Sequence, residues 1–234
     1  MYPINSNSNS NSSPNTVNTN TESFLNWIER MGKFEAYHSD ATNQIIHWTC
    51  IPIQIFAIYL LFSNIIIIPN SMIYNINMND DTIHMYLMSF LLPSFNLGLV
   101  LLIYSIVLYS CLNKYATIMT LLCMYPLYGL ANMIYIHHIF NTHLIMNISA
   151  IIMFIIALTI QVAVGHGVYE GIDDGPQGIS ELIHTKNPLY ISLIPFYPIM
   201  KCCFYLGCST GEYQLVSTHR INVRNGLQVE PLVG

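Results

Sequence analysis

The chain contains very little charge. Asp, Glu, Lys and Arg make up 8% of its 234 residues, whereas an ordinary soluble domain contains roughly 25%. Hydrophobic residues account for 53% of the chain. The seven basic residues are scattered and the formal net charge is −5, so the chain lacks the basic face with which proteins bind nucleic acid. This composition is typical of an integral membrane protein that contacts lipid, and nucleic acid is not expected as a partner.

Two further patterns are missing. The cysteines have no paired spacing that would indicate a zinc site or a disulfide framework, and we predict core or lipid-facing thiols at Cys50, Cys111, Cys123, Cys202, Cys203 and Cys208. The N-terminal residues also lack a basic stretch followed by an apolar core, as a cleavable secretory signal would have. The first membrane segment is therefore expected to direct insertion.

The polar ends of the chain enclose an apolar middle. Residues 1–21 are an Asn/Ser/Thr tract that cannot bury enough apolar surface to fold, so they are predicted to be disordered. Residues 22–36 place apolar side chains at helical spacing among charged ones, which predicts an amphipathic helix on the membrane surface or capping the bundle. We assign residues 22–207 to one membrane domain and residues 208–234 to a polar, mobile C-terminal tail.

Four apolar segments approach the roughly 20 residues that cross a hydrocarbon core. They lie at about 45–68, 86–112, 116–138 and 144–165. The second contains Pro93, which predicts a kink or a late start. Residues 188–207 are apolar but broken by Pro195 and Pro198, which favours a re-entrant or interfacial segment over a fifth span. The predicted fold is an all-α integral membrane bundle of about four transmembrane helices.

The basic residues indicate the orientation of the bundle, because Lys and Arg stay on the cytosolic side of short loops. With four spans, all seven basic residues fall on one side: Arg30, Lys33, Lys114, Lys186, Lys201, Arg220 and Arg224. Both termini are then cytosolic. The same topology places His38, His47 and His166 at the cytosolic face, and it places the cluster of His137, His138 and His143 opposite them.

His38 and His47 lie where polar residues meet the first span. They are nine residues apart, about half a turn out of phase on one straight helix, so they converge only if the helix begins between them. Ser39, Asp40 and Thr42 are all good N-cap residues, which makes such a start plausible. Asn43 and His47 then share a helical face, and His38 can fold over the helix start.

The end of the fourth span supplies a third histidine. Glu170 lies four residues after His166 and shares its face if the helix continues, whereas Gln161, five residues before it, is a poorer match. Imidazoles with a carboxylate form the non-haem iron(II) sites that keep positions open for oxygen and substrate. His38, His47 and His166 are therefore candidate metal ligands, Asn43 is a candidate for orienting the imidazoles, and Glu170 is either a further site residue or a solvated helix end.

Other interpretations of these histidines remain. Each could be an interfacial anchor in a non-catalytic membrane protein, such as a small transporter or a lipid-binding scaffold. A di-iron desaturase needs a larger set of clustered histidines than the cytosolic face offers. Haem held by two histidines is another possibility. The cluster of His137, His138 and His143 has no carboxylate nearby, so it is the weaker metal candidate.

Two motifs, one at the start of the first span and one at the end of the fourth, resemble those of a known family. The resemblance covers roughly residues 24–205, and its motif residues are Tyr37-His38, Asn43, Ile46-His47, Ile51-Pro52, Gln161, Gly165-His166 and Tyr169-Glu170. They are similar to those of the endoplasmic-reticulum 2-hydroxy fatty acid dioxygenases known from fungi.

The resemblance implies an iron(II)-dependent, Fe(2+)-binding enzyme of fatty acid α-oxidation in phytosphingosine breakdown. Such an enzyme converts a long-chain 2-hydroxy fatty acid and O2 to the acid one carbon shorter. His38, His47 and His166 match the family's histidines, and Asn43 and Glu170 match polar positions of the same motifs. In relatives a basic residue and then Pro-Ala follow the glutamate, whereas residues 171–176 differ here, so the contact to the substrate carboxylate is not carried over.

Overall fold

A computed structural model describes residues 27–38, 40–67, 87, 90–91, 94–137, 139–140, 142–170 and 193–224. Within these ranges the regular elements are helices. One isolated antiparallel bridge pairs Ile66 with Asn96. The predicted disordered segment 1–21, the loop 171–176 and His138 lie outside the described residues.

Seven α-helices and one π-helix make up the described fold. In chain order they are α1 (Trp27–Tyr37), α2 (Ala41–Ser63), α3 (Leu97–Leu112), α4 (Lys114–Ile136), α5 (His143–Thr159), the π-helix (Ile160–Glu170), α6 (Phe196–Tyr205) and α7 (Thr210–Arg224). The π-helix continues α5 without a break, and the two form one long rod.

Three of these helices are long and apolar enough to cross a membrane. They are Ala41–Ser63, Lys114–Ile136 and the apolar part of the long rod, His143–Tyr169. The predictions of an all-helical fold and of a membrane protein are confirmed at this level. The second predicted span, 86–112, contains the shorter helix α3 of 16 residues, which begins after Pro93.

Side-chain caps fix where the helices begin. Asp40 accepts hydrogen bonds from the backbone N–H groups of Thr42 and Asn43 at 2.7 and 3.0 Å, so α2 starts between His38 and His47, as predicted. Asn96 caps α3. Asn113 is the single residue between α3 and α4, and its side chain caps α4. These residues satisfy backbone donors that a helix start leaves open.

Helix α2 lies at the centre of the bundle. It contacts α3, α4, α5 and the π-helix. Its fully buried Ala57, together with Ala131 of α4 and Ala150 of α5, has no exposed surface, and residues this small let helix backbones approach closely inside a membrane. The bundle therefore surrounds the helix that carries Asn43 and His47.

The C-terminal region departs from the sequence prediction. Residues 210–224 form helix α7, which packs against α1, so the expectation of a mobile tail after Ser209 is wrong for this stretch. Val216 and His219 are buried and three residues apart, which puts them on one helical face. This buried stripe of Val216 and His219 is narrow, and the residues around it are polar, so the sequence did not indicate a packed helix. Helix α6 has 10 residues, so at about 15 Å it is too short to cross a membrane by itself.

The contact between α1 and α7 depends on Gly32. A Cβ atom at position 32 would lie 2.5 Å from Cβ of His219 and 3.2 Å from the carbonyl oxygen of Val216. We therefore expect Gly32→Ala to lower the free energy of unfolding by about 1–3 kcal/mol, because overpacking forces the helices apart. Thermal unfolding of the detergent-solubilised chain measures this loss.

Gly211→Ala is the matched control, because a Cβ atom at that position would meet nothing within 4 Å. Its stability should equal or slightly exceed that of the original chain. Equal melting temperatures for the two alanine variants would contradict the close α1–α7 contact.

Candidate metal centre

Three buried imidazoles converge at the start of α2. The ring centroids of His38 and His47 are 4.5 Å apart, those of His38 and His166 are 4.8 Å apart, and those of His47 and His166 are 5.0 Å apart. One nitrogen of each ring lies within 4.8 Å of the others. The structure thus brings together the three histidines that the sequence analysis expected to converge.

The break between α1 and α2 places His38. Helix α1 ends at Tyr37 and α2 begins at Ala41, so the chain turns at His38, and the ring folds over the helix start. The backbone N–H of His38 still donates to the carbonyl oxygen of Phe34 at 2.9 Å. His38 is therefore the one histidine of the three that lies outside a helix.

Phe34 also orients the His38 ring. Its carbonyl oxygen lies 2.7 Å from Nδ1 of His38, and a carbonyl can only accept, so Nδ1 carries the proton and Nε2 is the basic nitrogen. The Phe34 ring stacks on the His38 ring with centroids 3.9 Å apart, and Tyr197 of α6 stacks on the other side of Phe34. This is the tautomer that a metal ligand binding through Nε2 requires.

Two glutamines hold the ring of His47. The side-chain amide of Gln161 contacts Nδ1 of His47, and Oε1 of Gln161 accepts a hydrogen bond from Nε2 of Gln54 at 2.8 Å. In this orientation Nε2 of Gln161 donates to Nδ1 of His47. Rotation of the Gln161 and Gln54 amides by 180° would let Oε1 of Gln161 accept from a protonated Nδ1 instead, which is the tautomer that leaves Nε2 of His47 able to bind a metal. Nε2 of His47 is buried and, within the described part of the chain, has no hydrogen-bond partner.

The π-helix explains why sequence reasoning undervalued Gln161. Residues five apart are out of register on an α-helix, but the hydrogen bonds of a π-helix join residues i and i+5, which brings Gln161 and His166 onto one face. Gln54 was missed altogether. Its signal was available, because it lies seven residues after His47, two turns along the same face, and a polar residue inside a span is costly without a role.

Asn43 is fully buried beside the cluster. It lies one turn before His47, and a Cβ atom at the neighbouring Gly165 would overlap its Oδ1 atom. Among the described residues, neither Oδ1 nor Nδ2 of Asn43 has a hydrogen-bond partner. The structure therefore does not show the predicted orienting bond from Asn43 to an imidazole. It shows an amide whose donor and acceptor can both be used by a bound group.

Glu170 and His143 are two other candidate residues. The backbone of Glu170 ends the π-helix, but its side chain lies outside the described residues, so its role stays a prediction. His143 is exposed at the start of α5. Among the residues that the structure describes, His38, His47 and His166 are the only group of His, Cys, Asp or Glu side chains close enough to share a metal ion.

The donor set fits a transition metal. Imidazole nitrogens bind zinc, copper, iron and nickel, and three protein ligands leave further positions open, as catalytic sites do. Three nitrogens that each lie roughly 2.1 Å from one ion are about 3.0–3.6 Å apart, so nitrogens that lie within 4.8 Å of one another must close by roughly 1–2 Å at the longest separation. A bound ion would also give the buried Nε2 of His47 a partner. Buried polar atoms in proteins usually have one.

Comparison with known proteins adds nothing to this site. The chain matches no family model, no curated protein and no solved structure.

Gly165 provides a test of the packing around the cluster. We expect Gly165→Ala to lower the free energy of unfolding by about 1–3 kcal/mol, because the added methyl group must displace Asn43 in a fully buried position. The measurement is the thermal unfolding of the solubilised chain.

Gly167 in the same π-helix is the control. The nearest atom to a Cβ there is the carbonyl oxygen of Val162 at 3.8 Å, which is an ordinary contact. Gly167→Ala should keep the stability of the original chain. If Gly165→Ala were equally harmless, Asn43 would not lie where it is described.

Proposed function

We propose that the chain is an iron(II)-dependent dioxygenase of the endoplasmic-reticulum membrane that shortens long-chain 2-hydroxy fatty acids by one carbon, in the breakdown of phytosphingosine. The observation that carries this proposal is the meeting of His38, His47 and His166. The resemblance of the motifs around these histidines to the fungal dioxygenases supplies the metal and the substrate. No other part of the described chain offers such a group.

Our proposed topology has four spans and both termini in the cytosol. The α2, α4 and α5–π-helix rods would each cross the membrane, and α3 would do so together with residues that precede it. The bridge between Ile66 and Asn96 supports this arrangement, because it joins the end of α2 to the start of α3. Helix α1 would then lie at the cytosolic surface as the amphipathic helix, next to the metal centre.

The residues of the centre have defined tasks in this reaction. Iron(II), when bound, offers open positions to the carboxylate and hydroxyl of the substrate and to O2. Phe34 and Gln161 keep two imidazoles in orientation, and the amide of Asn43 is available to a bound oxygen atom. No protein nucleophile is needed, because the 2-hydroxy acid and O2 together give the shortened acid, carbon dioxide and water. Burial of the three rings keeps bulk water from the reacting groups.

A groove between α2 and α5 suits the acyl tail. It has a volume of about 650 Å³ and is lined almost entirely by apolar side chains, from Ile45 to Ile53 on α2 and from Ser149 to Ile160 on the rod. The α2 side is about 12 Å long. The three histidines do not line the groove, but its lining residues Ile46 and Ile160 are sequence neighbours of His47 and Gln161, so one end of the groove lies at the same level of the bundle as the centre. We infer that the tail of the substrate lies in this acyl groove while its carboxylate end stays at the histidines.

Metal content and turnover test the centre together. The purified chain, loaded with iron(II) without oxygen, should hold about one iron per chain and convert a long-chain 2-hydroxy acid to the acid one carbon shorter when O2 is added. We expect turnover to fall by more than about 100-fold in each of His38→Ala, His47→Ala and His166→Ala. Loss of a metal ligand should reduce activity more than loss of a group that only hydrogen-bonds to a ligand, which typically costs about 10- to 100-fold.

His143→Ala is the control and should keep both iron and turnover. A chain that binds no metal would favour the non-catalytic scaffold, two irons would favour a desaturase, and a Soret band would favour haem. Full turnover in all three alanine variants would refute the assignment of the ligands.

The acyl groove makes a separate prediction about chain length. Ile53→Trp should reduce turnover of long substrates relative to short ones several-fold, because the indole fills the deep end of the groove. Product yield from a series of 2-hydroxy acids measures the ratio. Ile155→Trp is the matched control, since Ile155 is 54% exposed and is not part of the groove lining. An unchanged ratio in both variants would place the tail elsewhere.

A further inference from the structure

Lys201 is a buried cation near the metal centre. It lies on α6 with 8% of its surface exposed. Its Nζ atom donates a hydrogen bond to Oε1 of Gln44 at 2.9 Å and lies 3.6 Å from Oε1 of Glu35. Burial of an ammonium group costs free energy unless the group is paired. A buried and paired lysine therefore indicates a role that a lysine at the surface would not have.

Gln44 connects Lys201 to His38. Its Nε2 atom donates to the carbonyl oxygen of His38 at 2.8 Å, while its Oε1 atom accepts from Lys201. An ammonium group can only donate, so it fixes which end of the carboxamide faces it. The amide N–H group of Gln44 is thereby directed to His38.

Glu35 holds the ammonium in place from the other side. It is 4% exposed and also lies 3.6 Å from Nη1 of Arg220 on α7. Burial lowers the pKa of Lys201, and the Glu35 carboxylate opposes this shift. The carboxylate thus favours the charged form of Lys201, which is the form that orders Gln44.

His38 needs this support more than the other two histidines do. His47 lies within α2 and His166 within the π-helix, so helical hydrogen bonds fix their backbones. His38 lies between the end of α1 at Tyr37 and the start of α2 at Ala41, so it belongs to neither helix. A hydrogen bond to its carbonyl oxygen limits the rotation of the peptide that follows it.

We propose that Lys201 and Gln44 are positioning residues for His38, and that the ammonium of Lys201, by orienting the Gln44 amide, holds the His38 backbone where its ring can bind the metal. This inference rests on the proposed metal centre. It connects α6, which carries none of the three histidines, to the affinity of the centre. A purely structural ion pair would stabilise the fold without changing metal binding.

A double-mutant cycle on metal affinity tests the proposal without any turnover assay. Cobalt(II) is titrated into the full chain in detergent, and its ligand-field absorption reports both affinity and coordination. Lys201→Met and Gln44→Leu should each weaken cobalt binding about tenfold, as outer partners of metal ligands do. The double variant should also lose about tenfold rather than a hundredfold, because both changes break one connection.

Lys33→Met is the matched control. Lys33 is a partly exposed cation on α1 that pairs with Glu29 at 2.7 Å, so its loss should leave the cobalt spectrum and affinity unchanged. Thermal unfolding of each variant confirms that the chain is folded, and Gln44→Leu retains the buried ion pairs of Glu35 if Lys201→Met does not fold.

The outcomes separate this inference from the proposed function. Unchanged affinity in both single variants, or losses that multiply in the double variant, would overturn the positioning role while the metal centre stands. A wild-type chain that binds no cobalt and no iron would overturn both proposals. Coupled losses of cobalt in a chain that shows no dioxygenase turnover would support the positioning role and refute the proposed reaction.

Discussion

The burial of three imidazoles in one place is the constraint on which the rest of the structure depends. Each ring has two polar nitrogens, and a buried nitrogen without a partner costs free energy. The fold meets this cost at one nitrogen of two rings: Phe34 accepts from Nδ1 of His38, and Gln161, supported by Gln54, contacts Nδ1 of His47. One nitrogen of each ring lies within 4.8 Å of the others, and a metal ion can satisfy such a set together.

Much of this arrangement could be predicted from the sequence because it follows from local rules. The lengths of the apolar segments predicted the main spans. The preference of Asp40 for the N-cap position predicted where α2 starts, and this start allows His38 to approach His47. Three features escaped because they depend on long-range packing. The π-helix changes the register that links Gln161 to His166, the buried stripe of α7 appears only when α1 lies against it, and the role of Lys201 depends on a residue 157 positions away along the chain.

Helix geometry and site chemistry are related in the π-helix. Such helices are rare and are found frequently at functional sites, and this one carries Gln161, Gly165 and His166 within one segment. Gly165 leaves room for Asn43, while Gln161 contacts His47. On an ordinary α-helix, Gln161 and His166 would lie on different faces, and one of them would point away from the other two histidines. The irregular backbone is therefore part of how the centre is built.

The pairing of α1 with α7 has a consequence for biosynthesis. His38 and its neighbour Glu35 on α1 are synthesised before α6 and α7, the helices that carry Lys201 and Arg220. A premature stop upstream of α6 would leave the apolar helices and all three histidines in place but would remove Lys201 and Arg220, the two cations that face Glu35.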